Sequence, residues 1–106
     1  MKAVVVHSPG DIRWEDVPDP VIPPNWVKVD VKAVGVCSSD IGRALHGSAY
    51  HYPIVLGHEI GGIVADVGEG VDPAIVGKRV AVTPLIPCGK CEWCEHGRYS
   101  MCDDYD

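Results

Sequence analysis

The sequence has no phenylalanine and only three leucines among its 106 residues. Valine, isoleucine and alanine must therefore build the core, with Trp14, Trp26 and Trp93 as the large apolar side chains. No apolar run approaches the ~20 residues that a membrane-spanning helix needs. The opening stretch, MKAVVVHSPG, has one charged side chain and an apolar segment too short for a signal peptide. Basic residues are also scarce. Nine lysines and arginines stand against fifteen acids, giving a net charge of -6 and a pI near 5.2. Nonspecific binding to nucleic acid or to an anionic membrane needs a basic face, so neither partner is expected. A cytoplasmic location is the expectation. No internal repeat or low-complexity tract is present.

What remains is the balance of a soluble globular chain, 46% hydrophobic and 23% charged, with room for one domain. Twelve glycines and nine prolines imply many turns. Residues 2–6 (KAVVV) and 12–16 (IRWED) read as two strands joined by the Ser8-Pro9-Gly10-Asp11 turn. Val17 to Asn25 holds four prolines and reads as an extended connection. From Trp26 to Val34 the pattern is period two. Val27, Val29, Val31 and Ala33 alternate with Lys28, Asp30 and Lys32, a strand with one buried face. Ser38, Ser39 and Asp40 are cap formers ahead of Ile41, Ala44 and Leu45, which predicts a short helix. Residues 48–58 read as a Tyr/His/Pro loop, and 60–67 and 78–83 as two further strands. Beyond Pro84 the regular pattern stops. The class is mainly β, a small, partly open barrel. The last residues, Asp103 to Asp106, carry no turn or cap signal, so the chain is expected to be truncated.

Five cysteines leave one thiol over in any pure disulfide framework, and no export signal points to an oxidising compartment. Four of them form a run, Cys88-x2-Cys91-x2-Cys94-x7-Cys102. Zinc takes four thiolates in a tetrahedron with arms of about 2.3 Å, and a closed shell of this kind is structural. Gly89 and Gly97 supply tight backbone turns. The lobe, about residues 86–104, has almost no apolar side chains, so metal must replace a core. Iron–sulfur ligation is a rival, but the Cys-x3-Cys-Pro continuation of that pattern is absent. Disulfides and free thiols are the remaining alternatives. His96 reads as a surface histidine.

Cys37 stands apart at a strand end, and Gly57-His58-Glu59 follows further along. Singly, a cysteine after a valine-rich strand and a lone histidine are core or structural residues. Together they supply a thiolate, an imidazole and a carboxylate, the mixed set of an open catalytic zinc.

At this point the chain resembles the zinc-dependent medium-chain alcohol and polyol dehydrogenases. The residues that carry the resemblance are Gly35-Val36-Cys37-x-Ser39-Asp40, Pro53-Ile54-x-Leu56-Gly57-His58-Glu59-x-x-Gly62, Val67-Gly68-x-Gly70-Val71, Gly77-x-Arg79-Val80 and the four-cysteine run. The match is collinear over essentially the whole chain. The stretches from Gly47 to Ile54 and from Pro84 to Cys88 look closest to galactitol-1-phosphate 5-dehydrogenases, with sorbitol and threonine dehydrogenases as near alternatives. The resemblance implies a GroES-like catalytic domain over 1–106, followed in a full-length enzyme by a Rossmann domain holding NAD or NADP. It implies that Cys37 and His58 are catalytic zinc ligands. Glu59 would be the acid at the metal, Ser39 the hydroxyl that passes the substrate proton, and Asp40 a residue behind the ligands. It further implies a polyol or sugar-phosphate substrate and a homo-oligomer, dimer or tetramer, at full length.

Two departures stand out. Gly42 occupies a position where the alcohol dehydrogenases often place a histidine, with His46 or His51 as possible substitutes. No glycine stretch here fits G-x-G-x-x-G, so no dinucleotide site is expected within these residues, and the chain alone should show no dehydrogenase activity. Tyr50, His51 and Tyr52 read either as a packing loop or as the lining of a sugar-phosphate pocket. A different class of reading is a stand-alone, zinc-stabilised GroES-like module used for binding or assembly.

Overall fold

The β-branched run at the start forms β1 (Lys2–Ser8), which buries Ala3, Val5 and Val6. It pairs antiparallel with β2 (Asp11–Asp16), setting Val4 opposite Trp14 and Val6 opposite Ile12. The structure is a computed structural model and describes residues 1–105. The hairpin turn is tied to α1 (Ser38–Leu45), because the Gly10 N–H donates to the Ala44 carbonyl at 2.8 Å.

β3 (Val27–Gly35), β5 (Glu59–Val67) and β6 (Arg79–Val82) make a second sheet in the order β3-β5-β6. The first sheet has the order β2-β1-β4, where β4 (Ile54–Val55) lies within the expected Tyr/His/Pro loop. Two residues are too few for a period-two signal. They form a strand because Val5 and Val6 of β1 offer pairing partners to Val55 and Ile54. Each sheet is three-stranded and open, so the mainly β, partly open class read from the sequence holds. No helix among the described residues is long and apolar enough to cross a membrane.

Two expectations about the core need correction. Trp14 and Trp26 are 67% and 53% exposed, and the buried apolar set is Ala3, Val5, Val6 and Val64 with Cys94 and Cys102. The alternating face of β3 is not buried either, since Val27 and Val31 remain largely exposed. The reason is that nothing among the described residues covers it. The two sheets instead flank an apolar groove of about 840 Å³ lined by Val4, Val6, Ile12, Trp14, Val34 and Leu56. The radius of gyration agrees, at 15.7 Å against about 13 Å for a compact chain of this length. Val36, next to Cys37, and Ile41 and Leu45 of α1 are exposed as well.

The cysteine lobe is less irregular than its sequence suggests. It holds the single-turn helix α2 (Glu92–Glu95) and a 3-10 turn over Tyr99–Met101. Gly89 and Gly97 sit at φ +73° and +70°, a region that a side chain disfavours, and so turn the chain back on itself.

Candidate metal centres

All five cysteines are free thiols. In the lobe the four sulfurs lie within 4.8 Å of one another. Cys88 and Cys94 are 4.0 Å apart, as are Cys91 and Cys102. A disulfide needs about 2.05 Å, whereas a tetrahedron with arms of about 2.3 Å has edges of about 3.8 Å. The sulfurs therefore enclose the space of one ion, which suits neither a disulfide nor a multi-iron cluster. The backbone supports negative sulfur. Cys102 Sγ accepts from the N–H groups of Cys88 at 3.3 Å and Asp104 at 3.4 Å. N–H groups of Asp103 and Cys94 hold the Cys91 thiol down at about 6. Burial pushes Cys94 up to about 12, so a cation is needed before that sulfur ionises easily. His96 bonds the Glu92 carbonyl at 2.8 Å, stays exposed and takes no part, as its sequence context suggests.

The second group is assembled by the sheet. Antiparallel pairing sets Gly35 at the end of β3 opposite Glu59 at the start of β5. Cys37 lies just past one strand and His58 just before the other, so two residues far apart in sequence become neighbours. Donor atoms of Cys37, His58 and Glu59 all lie within 4.8 Å of one another. Cys37 and His58 are half-buried and Glu59 is exposed.

Cys37 is the N-cap of α1, with extended backbone. Its thiol is held at about 7, first by the Ser39 hydroxyl, then by the Ser39 N–H and the His58 ring. Ser39 Oγ in turn accepts from Arg43 Nη1 at 3.0 Å. Asp40 is buried, at 6% exposure. Its Oδ2 accepts the Cys37 N–H at 3.1 Å. Its Oδ1 has no hydrogen-bond partner and lies 3.4 Å from His58 Nδ1 and 3.7 Å from Arg43 Nη1.

An orphaned buried carboxylate oxygen beside an imidazole nitrogen fits a metal-ligating histidine. Such a ring donates its second N–H to a carboxylate, which fixes the tautomer. Both donor sets thus match zinc chemistry, closed in the lobe and mixed at Cys37.

The sequence does not single out Arg43, although its spacing of four from Ser39 and three from Asp40 on one helix was a usable signal. Tyr52 donates its hydroxyl to the Arg43 carbonyl, which makes it a packing residue. Tyr50, His51 and His46 are exposed and lie outside the lining of the groove between the sheets.

A family model described as "Alcohol dehydrogenase GroES-like domain" matches residues 23–106. The chain belongs to this family. The resemblance carried by the motifs, to zinc-dependent medium-chain alcohol and polyol dehydrogenases, therefore holds. Among its relatives, sorbitol dehydrogenase of Bacillus subtilis is 44% identical over 98% of this chain. Galactitol 1-phosphate 5-dehydrogenase of Escherichia coli K12 is 42% identical over 100% of it. The solved structure of an Escherichia coli CFT073 enzyme described as a short chain alcohol dehydrogenase, in complex with NADH, superposes with a TM-score of 0.88. It is 37% identical and covers 100% of this chain. In each case this GroES-like chain spans about 31% of the relative's length.

Proposed function

We propose that residues 1–106 form the metal-holding catalytic domain of an NAD(P)-dependent polyol dehydrogenase, which converts a secondary alcohol to a ketone. The observation that carries this is the convergence of Cys37, His58 and Glu59 donors within 4.8 Å at the mouth of two strands. A closed structural site explains stability alone, and a pure binding module has no use for a second, mixed donor set.

In this reading Cys37, His58 and Glu59 would hold a zinc ion, which would supply Lewis acidity toward an alcohol oxygen. Asp40 holds the His58 Nδ1 proton and leaves Nε2 for the metal. The Ser39 hydroxyl, which accepts from Arg43 Nη1 at 3.0 Å, would relay the alcohol proton, releasing its own toward solvent as it takes the new one. Cys88, Cys91, Cys94 and Cys102 hold a second zinc that folds the lobe over 86–104. NAD or NADP binds on another domain, since no stretch here matches the dinucleotide fingerprint. The relatives' names make sorbitol-like polyols or their phosphates the first substrates to try. Cytoplasmic location and a dimer or tetramer complete the proposal.

The test is NADH formation from sorbitol and from galactitol 1-phosphate by the protein carrying these residues. Turnover should vanish in Cys37→Ala and after chelation. Turnover that survives both contradicts the assignment.

A further inference from the structure

Gly35 faces Glu59 across the β3–β5 pair. It is not among the glycines at positive φ, so its backbone would accept alanine. What alanine would lack is room. A Cβ built on Gly35 would lie 3.0 Å from Glu59 Cβ and 3.2 Å from Cδ, and would overlap Oε2. All three of its nearest atoms belong to that one side chain. On the partner strand of the same ladder a Cβ on Gly61 would meet nothing within 4 Å and one on Gly62 would meet the Asp30 carbonyl and Val29, so crowding by a metal-site donor side chain is particular to Gly35 among these three.

We infer that Gly35 is a positioning residue: its bare Cα is the seat on which the Glu59 side chain rests, which keeps that carboxylate beside Cys37 and His58. This rests on the metal-centre reading above. An exposed glutamate is otherwise free to sample many rotamers, and a donor helps bind an ion only while it is held near the other two. A methyl at position 35 displaces the carboxylate end of Glu59, which can swing into solvent, while the 3.0 Å contact with Glu59 Cβ asks the two strands to give by only a few tenths of an ångström. The loss then falls mainly on the metal site.

Cobalt(II) is the probe, titrated into the chain with its lobe already filled by zinc and followed through the thiolate-to-cobalt absorption of Cys37. The wild-type chain is expected to take up one cobalt. Gly35→Ala should bind it about 10–100-fold more weakly, and Glu59→Ala should do the same. In the double variant Gly35→Ala/Glu59→Ala the binding should equal that of Glu59→Ala alone. Lobe zinc and far-UV circular dichroism should be the same throughout. Wild-type cobalt affinity in Gly35→Ala overturns the inference, as does a double variant weakened beyond Glu59→Ala or unfolded. A wild-type chain that takes up no cobalt contradicts the metal-centre reading itself, and that failure shows before any variant is made.

Discussion

Asp40 Oδ1 lies 3.4 Å from His58 Nδ1, while Oδ2 of the same carboxylate accepts the Cys37 N–H at 3.1 Å. One buried side chain therefore fixes the Cys37 backbone and faces the His58 ring. Asp40→Ala removes the acceptor and leaves a part-buried N–H unpaired, a loss of about 1–3 kcal/mol. Asp40→Asn keeps the shape and one acceptor oxygen, so urea midpoints should fall less than in the alanine variant. Both should weaken cobalt at Cys37 about 10–100-fold. An alanine variant as stable as the wild type would show that Asp40 bears no such burden.

Cys37 offers a pH test. Its thiol is lowered from 9.0 to about 7, with the Ser39 hydroxyl as the first cause. The folded chain thus favours the thiolate. The associated stability is present above the ordinary thiol value and is lost as pH falls through about 7. With the lobe filled by zinc to shield the other four cysteines, alkylation by iodoacetamide should show a midpoint near pH 7. Ser39→Ala should move that midpoint upward. An unmoved midpoint would remove Ser39 as the cause.

The lobe has its own prediction. Only Cys94 and Cys102 are buried in it, and Ile86, Tyr99 and Met101 are exposed. Structural zinc contributes on the order of 10 kcal/mol of apparent binding free energy. Cys91→Ser should therefore release the metal and unfold residues 86–104, while amides of β1, β3 and β5 keep their hydrogen-exchange protection. Loss of protection in the strands as well would mean that lobe and sheets fold as one unit.

Local signals were well read from the sequence. The Val/Lys/Asp alternation of β3 and the Ser-Ser-Asp first turn of α1 depend on neighbours in the chain, and both elements are where these patterns put them, although the N-cap itself is Cys37. The cysteine run is similar, since its spacing alone brings four sulfurs together. Burial was not legible. Trp14 and Trp26 look like core residues by type, yet burial depends on a covering layer, and the described residues provide none on those faces. β4 was missed because a two-residue strand exists only through its partner β1. The approach of Cys37 to His58 depends on the register of β3 against β5, which no local pattern shows. Gly35 was visible only as one letter of a motif. Its role needs the Glu59 side chain lying over it.

Zinc content of the chain, purified under reducing conditions and then exposed stepwise to a chelator, is the most direct measurement. Two zinc ions per chain are expected. One should leave readily from Cys37, His58 and Glu59, and the other should stay on the four lobe sulfurs until the thiols are modified. A single zinc lost in one step, or iron in its place, would contradict the two-centre assignment.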